Sequence, residues 1–297
     1  MSTGLAPAPE RIERYTNDIL ELNDRLSFRR LPEVIDGEPI WLRRRTGTPL
    51  TTVAALERQI PERYLLGIYG FRLSQYLRLG WACADTVYHR SLFTEPRHHP
   101  SPDDLHVITL DQRNGRILGY VSLAHDLEAA GKLLGDPTRA PFPFEVAHRL
   151  RVQDELPDVA EVACDAVREV KRFVRDVSLK ERELRSRVPW ELLLGLAGGL
   201  SAITPRLELL VGDLQESVAL RHLLTVGMRT RLIEDTSPAL HPGEVMRPMY
   251  VKRKSVKPFV AEIPPLEQLN PLRDFVDAAL ARPGAFRMMA GASEAAA

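Results

Sequence analysis

The sequence predicts an α/β (α+β) fold in which helices flank a mixed central sheet. Two strand-like runs at 105–111 and 116–126, LHVITLD and RILGYVSLAHD, are joined through Asn114-Gly115, which is a strong signal for a β-hairpin. From 168 to 234, strand-like and helix-like segments alternate. Because a helix between two strands returns the chain in parallel, the strands at 168–176 and 207–212 are expected to be adjacent and parallel.

Composition narrows the class of protein. The length of 297 residues fits one large domain with additions at its ends, and 44% apolar with 27% charged residues is typical of a globular chain. Lys plus Arg equals Asp plus Glu, so the zero net charge argues against a general nucleic-acid binder. Cys83 and Cys164 form no CxxC motif, which fits a reducing cytosol and predicts neither a metal ribbon nor a redox pair.

Apolar spacing predicts the individual elements in order. A helix is expected at 10–25, a strand at 26–31 and a turn or hairpin at 36–49. Pro61 is typical of the first turn of a helix, here one that runs to Arg78. The elements predicted after the 105–126 hairpin are a short helix ending at 150, a strand at 166–176, a helix starting at Pro189, a strand at 206–213, a helix at 214–227, a final strand at 228–235 and a helix at 265–282.

The ends of the chain are predicted to be accessory. We expect an N-terminal helix or arm at 1–25, a domain at 26–236 and a Pro-rich, partly disordered C-terminal extension at 237–297. The first residues have no apolar core of a signal peptide, and the longest apolar run, 192–203, is too short to span a bilayer. A cytoplasmic protein without a transmembrane segment is therefore expected. His98 and His99 have no metal-ligand spacing with the cysteines, and no metal is predicted.

Three short strings resemble a known family. Glu169-Val170-Lys171-Arg172-Phe173-Val174 is similar to the Glu-x-x-Arg-Phe-x-Val strand of acyl-homoserine-lactone synthases, and GRILGYVSL resembles their Gly-x-x-x-Gly-x-x-Arg-Leu hairpin. LRLGWACADTVYHRSLF resembles their region of Arg, Gly and Trp before an acidic loop. Over 65–235, a hairpin followed by strand, helix, strand, helix and strand is the element order of a GNAT domain. The chain thus resembles GNAT-type N-acyltransferases, including the acyl-homoserine-lactone synthases and the related long-chain N-acyl amino acid synthases.

This resemblance implies a fold and a reaction. The fold would be a GNAT-like mixed sheet with N-terminal helical and C-terminal extensions. The reaction would move an acyl group from acyl carrier protein or CoA, as co-substrate, to a small primary amine or amino acid, without a permanently bound cofactor. Three positions depart from the pattern: Ser122 replaces an Arg of the hairpin, 183–189 lacks the glycines of a pyrophosphate loop, and Leu223 stands near the place of a Tyr general acid. These departures argue against homoserine-lactone formation and against ordinary acetyl-CoA chemistry.

The matched strand supplies the candidate catalytic residues. The resemblance makes Glu169 the general base, on the same strand face as Lys171 and Phe173. Arg172 would orient Glu169 or bind a carboxylate of the acceptor in a bidentate way. The alternatives are a surface Glu paired with Lys171 or Arg172, and an Arg solvated at a rim.

Other candidates would bind the donor or the acceptor. Arg185 and Arg187 would meet a phosphate of the carrier at the N-terminus of the Pro189 helix, unless they belong to a solvated basic loop. Trp81 and Phe144 would line an acyl or amine pocket, or are ordinary core residues. Two acidic residues, Asp103 and Asp104, would bind an amine, or are features of a turn. The glycines at 195, 198 and 199 are expected to permit close helix packing.

Two other functions fit the same sequence. A GNAT-shaped protein without catalysis would act as a binding or sensing module, and the missing glycine loop and tyrosine fit it as well. A helical interaction protein would use its terminal regions, and it predicts no open cleft between the central strands.

Overall fold

Eight strands form one mixed sheet in the computed structural model, which describes residues 8–96, 100–203, 206–215, 220–241, 243–252 and 256–281. The strands are β1 (Trp41–Arg44), β2 (Leu50–Leu56), β3 (Leu105–Asp111), β4 (Ile117–Ala124), β5 (Val167–Arg175), β6 (Leu209–Gln215), β7 (Arg229–Leu232) and β8 (Val256–Glu262). Their spatial order is β1-β2-β3-β4-β5-β6-β8-β7. Neighbours are antiparallel except β5 and β6, which are parallel as predicted.

Helices cover both faces of this sheet. The helices of the described residues are α1 (Ala8–Arg25), α2 (Leu31–Val34), α3 (Glu62–Leu79), α4 (Ala84–His89), α5 (Pro143–His148), α6 (Val152–Glu155), α7 (Arg182–Ala202), α8 (Arg221–Thr225), α9 (Arg247–Lys252) and α10 (Leu266–Ala281). Each face of the sheet packs against helices in its own hydrophobic core. Ala54 of β2 packs in the core that contains Leu192 of α7, and its neighbour Val53 packs in the core that contains Ile68 of α3. Within the described residues, no helix is both long and apolar enough to cross a membrane.

The glycines of α7 bring this helix close to the sheet. A Cβ added at Gly195 would lie 2.5 Å from Cγ1 of Val107 on β3. Added at Gly199, it would lie 2.7 Å from Cδ2 of Leu105. Real Cβ atoms do not approach other atoms so closely, so the interpretation of these glycines as helix-packing residues is confirmed.

Several local predictions are confirmed, one early prediction is wrong, and one strand was missed. The helices at 10–25 and 61–78, the 105–126 hairpin and the strand at 166–176 are found as α1, α3, β3–β4 and β5. No strand forms at 26–31; the N–H of Phe28 donates to the carbonyl of Gly115, so this segment covers the tip of the hairpin. Strand β2 was not predicted, because both of its faces are buried and its sequence LTTVAAL shows no alternation of apolar and polar residues.

Helix α7 begins at Arg182, seven residues before the predicted start at Pro189. A proline inside a helix has no N–H for the carbonyl four residues earlier, which here is that of Arg185. The guanidinium of Arg175 takes the place of that donor, with Nη1 2.7 Å from the Arg185 oxygen. This hydrogen bond from a side chain allows α7 to continue through Pro189, although the sequence predicts a helix start at this proline.

The C-terminal region is part of the sheet and not an extension of it. Strand β8 lies between β6 and β7 and pairs with seven residues of β6, from Leu209 to Gln215. The predicted domain boundary at 236 is therefore wrong, and β7 is not the last strand. The predicted helix at 265–282 is found as α10. Of the helix predicted at 214–227, residues 214 and 215 belong to β6 and residues 221–225 form α8. The Ala-rich end lies outside the described residues.

Candidate active site

The sheet opens between its two parallel strands. The pairing of β5 with β6 ends at Glu169 and Val211, although the strands continue to Arg175 and Gln215. Beyond that last pair, both strands line a cavity of about 650 Å³. Its lining from β5 and β6 comprises Glu169, Val170, Lys171, Arg172, Phe173, Asp213, Leu214 and Gln215. The hypothesis of a helical interaction protein predicts no open cleft between the central strands. The observed cleft shows that this hypothesis is wrong.

Irregular backbone on both strands explains the opening. Tyr120 and Ser122 of β4 pair with Val174 and Lys171, so β5 carries one extra residue, and Arg172 within this bulge has a φ of 66°. A β-bulge bends its strand and interrupts the ladder. On β6, Gly212 has a φ of 148°, and a Cβ there would lie 3.1 Å from the carbonyl oxygen of Val170.

Glu169 is the last residue of β5 that pairs with β6, and it lines this cavity. Its carboxylate is buried, and Nζ of Lys171 lies 3.6 Å from Oε2. Burial raises the pKa of Glu169 to about 7, with Lys171 opposing the shift and the carboxylate of Asp213 adding to it. A carboxyl group with this pKa exchanges its proton near neutral pH, as a general base requires.

Arg172 is paired with a different carboxylate. Its Nε lies 2.7 Å from Oε1 of Glu95, and Nε of Arg72 lies 2.9 Å from Oε2 of the same side chain. Burial alone would raise the pKa of Glu95, but the charges of Arg172 and Arg72 outweigh it and hold that pKa at about 2. The guanidinium also lies over the ring of Tyr76, 5.8 Å from its centre. The expectation that Arg172 orients Glu169 is therefore corrected: its ion pair is with Glu95.

The two predicted aromatic residues line the cavity. Trp81 stacks on Tyr76, with ring centres 6.2 Å apart. Phe144 stacks on Phe142 at the same distance, and its side chain is buried. Trp81 follows α3 and Phe144 lies in α5, on the far side of the β3–β4 hairpin in the sequence, and the fold brings the two residues together at the cleft.

The predicted acidic pair lies outside the cavity. Asp103 is on the surface and forms an ion pair with Arg58. Asp104 is buried, and its Oδ1 accepts a hydrogen bond of 2.7 Å from the backbone N–H of His125. Asp104 joins the start of β3 to the end of β4, and Asp103 joins it to Arg58 after β2, so their assignment to amine binding is corrected.

The predicted phosphate-binding arginines are also elsewhere. Arg187 is buried within the second turn of α7, where Nε donates to Glu191 at 3.2 Å and the guanidinium also donates to the carbonyl of Leu280. Arg185 is exposed on the first turns of α7. Neither residue lines the cavity, and α7 begins at Arg182 and not at Pro189. The phosphate-binding assignment rested on the mistaken start at Pro189.

A second polar group in the cavity was not predicted. The hydroxyl of Tyr250, on α9, donates to Oδ2 of Asp213 at 2.5 Å. Nε2 of the buried His148 lies 3.6 Å from the same oxygen. Burial and the Asp213 carboxylate raise the pKa of Tyr250 well above its usual value, so the phenol keeps its proton. Asp213 could have been suspected as a polar residue directly after the strand glycine, but Tyr250 lies in a Pro-rich segment without any motif.

The described residues contain no group of three or more His, Cys, Asp or Glu side chains that could hold a metal ion. His98 and His99 lie outside the described residues.

Known structures similar to this chain include acyl-homoserine lactone synthases, whereas no family model and no curated protein matches it. LasI is 13% identical with a TM-score of 0.45, over 76% of this chain and 96% of that one. The CoA-dependent synthase MesI is 15% identical with a TM-score of 0.42, over 72% and 88%. A GNAT-family acetyltransferase from Streptococcus pneumoniae is 11% identical with a TM-score of 0.26, over 61% and 75%. The chain is similar to these proteins, and it contains the mixed sheet flanked by helices that the sequence predicted.

Proposed function

We propose that the protein is an N-acyltransferase that moves a fatty acyl group from an acyl thioester to a small primary amine or amino acid. The observation that carries this proposal is the position of Glu169, whose pKa is about 7, at the point where β5 and β6 separate. An amine that attacks a thioester held between these strands needs a base at the opening of the sheet to take its proton.

The reaction requires one bond to form and one to break. The amine nitrogen attacks the thioester carbonyl, the C–N bond forms, and the C–S bond breaks to release the thiol. Glu169 takes the proton that the amine loses, directly or through a water molecule, and the departing sulfur takes up a proton to leave as the thiol. Beyond Glu169 the β5 edge that faces β6 has no ladder partner among the described residues, so backbone N–H groups on this edge are suited to polarise the carbonyl.

The apolar part of the cavity suits the acyl chain. Leu193 and Leu196 of α7 line it together with Phe259 of β8. A volume of about 650 Å³ lies within the range of pockets that enclose small ligands. Acyl carrier protein and CoA both present the acyl group on the same phosphopantetheine arm, so either carrier fits this proposal.

Incubation of the purified protein with acyl-CoA and acyl-carrier-protein donors of several chain lengths, together with a panel of amines and amino acids, tests the proposal. We expect release of free thiol that depends on the acceptor, with an amide product of the corresponding mass. Donor binding without thiol release across the whole panel would favour a binding or sensing module instead.

A further inference from the structure

Two guanidinium groups share one buried carboxylate beside the cavity. Nε of Arg172 lies 2.7 Å from Oε1 of Glu95, and Nε of Arg72 lies 2.9 Å from Oε2 of the same side chain. Arginine side chains keep their protons in proteins, and the pKa of Glu95, about 2, keeps this carboxylate ionised. The three side chains therefore carry two positive charges and one negative charge, which leaves one positive charge in excess.

The nearest titratable groups do not cancel this excess. Burial raises the pKa of Tyr76, of Tyr120 and of Tyr250, so the three phenols stay neutral. The other cation of the lining, Lys171, lies 3.6 Å from Glu169 and balances that carboxylate. A buried charge without a counter-charge is costly, so this part of the cavity favours a ligand with a negative group.

The remaining carboxylates of the lining lie apart from the arginines. Among the described residues, Glu95 is the only carboxylate in an ion pair with Arg172. The others are partly or fully exposed to water, which screens their charge: Asp126, Glu128, Asp213 and Glu244. They leave the excess positive charge at Arg172 available to a ligand.

The terminal nitrogens of Arg172 can receive that ligand. Within the described ranges, Nε makes the one hydrogen bond of this guanidinium, and Nη1 and Nη2 have no partner. The side chain is 22% exposed and lines the cavity, so a bound molecule can reach these nitrogens. The planar guanidinium fork matches a carboxylate and can donate two parallel hydrogen bonds to it.

The bulge in β5 brings Arg172 to the face of Glu169. Side chains of a regular strand alternate between faces, so Arg172 would share the face of Val170, which packs in the core that contains α7. Arg172 instead contacts Glu95, and Phe173 takes the place on the α7 side. Its φ of 66° is uncommon for a residue other than glycine, and such strained backbone is concentrated at functional sites.

From these features we infer that the acceptor is an α-amino acid whose carboxylate is bound by Arg172. This inference rests on the proposed N-acyltransferase function. One carbon separates the carboxylate from the amine in such a molecule, so the anion site and the base must be neighbours, as Arg172 and Glu169 are. The C–N bond forms as the C–S bond breaks, Glu169 takes the proton of the amine, the departing sulfur takes up a proton, and the product keeps its carboxylate.

A panel of amino acids, each matched with the amine that remains when its carboxylate is removed, provides the test. Phenylalanine with phenethylamine and lysine with cadaverine are two such pairs. For the best acceptor of the panel, we expect kcat/KM of the amino acid to exceed that of its matched amine by about tenfold or more, the size of one charge-assisted hydrogen bond. A matched amine that reacts as fast as its amino acid would overturn the inference.

Arg172→Gln should remove this preference. Arg72 and Glu95 then form a balanced pair, so we expect the variant to stay folded, which a melting curve checks. KM for the amino acid should rise about tenfold or more, whereas KM for the matched amine and for the donor should stay the same. Arg44→Gln, on the exposed face of β1 and outside the cavity lining, is the control and should change none of these values. A higher KM for the donor instead would place the carrier at Arg172 and overturn the inference.

Direct binding separates this inference from the proposed function. In calorimetry without donor, amino acids should bind the wild type more tightly than their matched amines do, and Arg172→Gln should abolish the difference. Acylation of the amines as fast as the amino acids would overturn this inference and leave the N-acyltransferase proposal standing. If no acceptor is acylated, the proposed function fails and binding to the wild type alone decides: preference for the amino acids supports the Arg172 site, and equal or absent binding overturns it.

Discussion

Nε of Arg172 lies 2.7 Å from Oε1 of Glu95, so the arginine of the bulge is paired with a carboxylate from outside strand β5. Arg72 binds the other oxygen of Glu95 at 2.9 Å. This pairing turns the Arg172 guanidinium towards Glu95 and not towards Glu169. Glu169 therefore keeps a raised pKa, as a base for an amine requires.

Removal of the Glu95 charge should destabilise the protein. Glu95→Gln leaves Arg72 and Arg172 without their counter-charge, and breaking a buried pair in this way typically costs about 3–5 kcal/mol of unfolding free energy. Urea denaturation measures the change. The matched control is Glu21→Gln, which breaks the exposed pair with Arg25 and should cost less than about 1 kcal/mol. Equal losses for the two variants would contradict the role of Glu95.

A side chain at Gly212 should disturb the sheet opening. Gly212→Ala places a Cβ near the Val170 carbonyl at a φ of 148°, so we expect a loss of roughly 1–3 kcal/mol in stability and a lower turnover. Thermal denaturation and acyl-transfer rates measure these effects. Gly243→Ala, where the nearest atom to an added Cβ is 3.5 Å away on His241, is the control and should leave both quantities unchanged.

Local signals predicted the elements around the site, and long-range contacts explain what was missed. The Asn114-Gly115 turn and the crossover helix α7 are encoded in short segments, so the hairpin and the parallel β5–β6 pair could be predicted. Strand β8 contains a proline and is held in place by pairing with β6 and β7, and these long-range contacts have no signal in the local sequence. Likewise, Tyr250 reaches Asp213 only because α9 folds back against Trp81, whose carbonyl accepts from the N–H of Met249.

The loop that carries Phe144 should depend on a buried ion pair. The guanidinium of Arg139 is completely buried and donates two hydrogen bonds to Glu145, at 2.7 and 2.6 Å. Glu145 also accepts from the backbone N–H groups of Phe142 and Val152, both at 2.8 Å. Arg139→Met leaves this carboxylate buried without a cation, so stability should fall by about 3–5 kcal/mol. A neutral effect in urea denaturation would show that the loop does not need the pair.

The raised pKa of Glu169 should also appear in the stability of the protein. Between pH 4.5 and about 7 the folded state retains a proton that the unfolded state has released, so the free energy of unfolding falls as pH rises through this window. The total fall from this group is about 3 kcal/mol. Glu169→Gln removes this titrating group. The free energy of unfolding of the variant relative to the wild type should therefore be higher at pH 8 than at pH 4.5. Parallel pH profiles of the two proteins in urea denaturation would contradict the shift.

Turnover of Glu169→Gln tests the central claim most directly. Thioester consumption is measured across pH for the wild type, for this variant and for Asp103→Asn, whose carboxylate lies on the surface outside the cavity. The wild-type rate should rise with pH through about 7 as Glu169 loses its proton. Glu169→Gln should stay folded, lose that inflection and fall in turnover by roughly 10²–10⁴-fold, whereas Asp103→Asn should match the wild type. Full turnover by Glu169→Gln with an acceptor that the wild type acylates would contradict the assignment of Glu169 as the base.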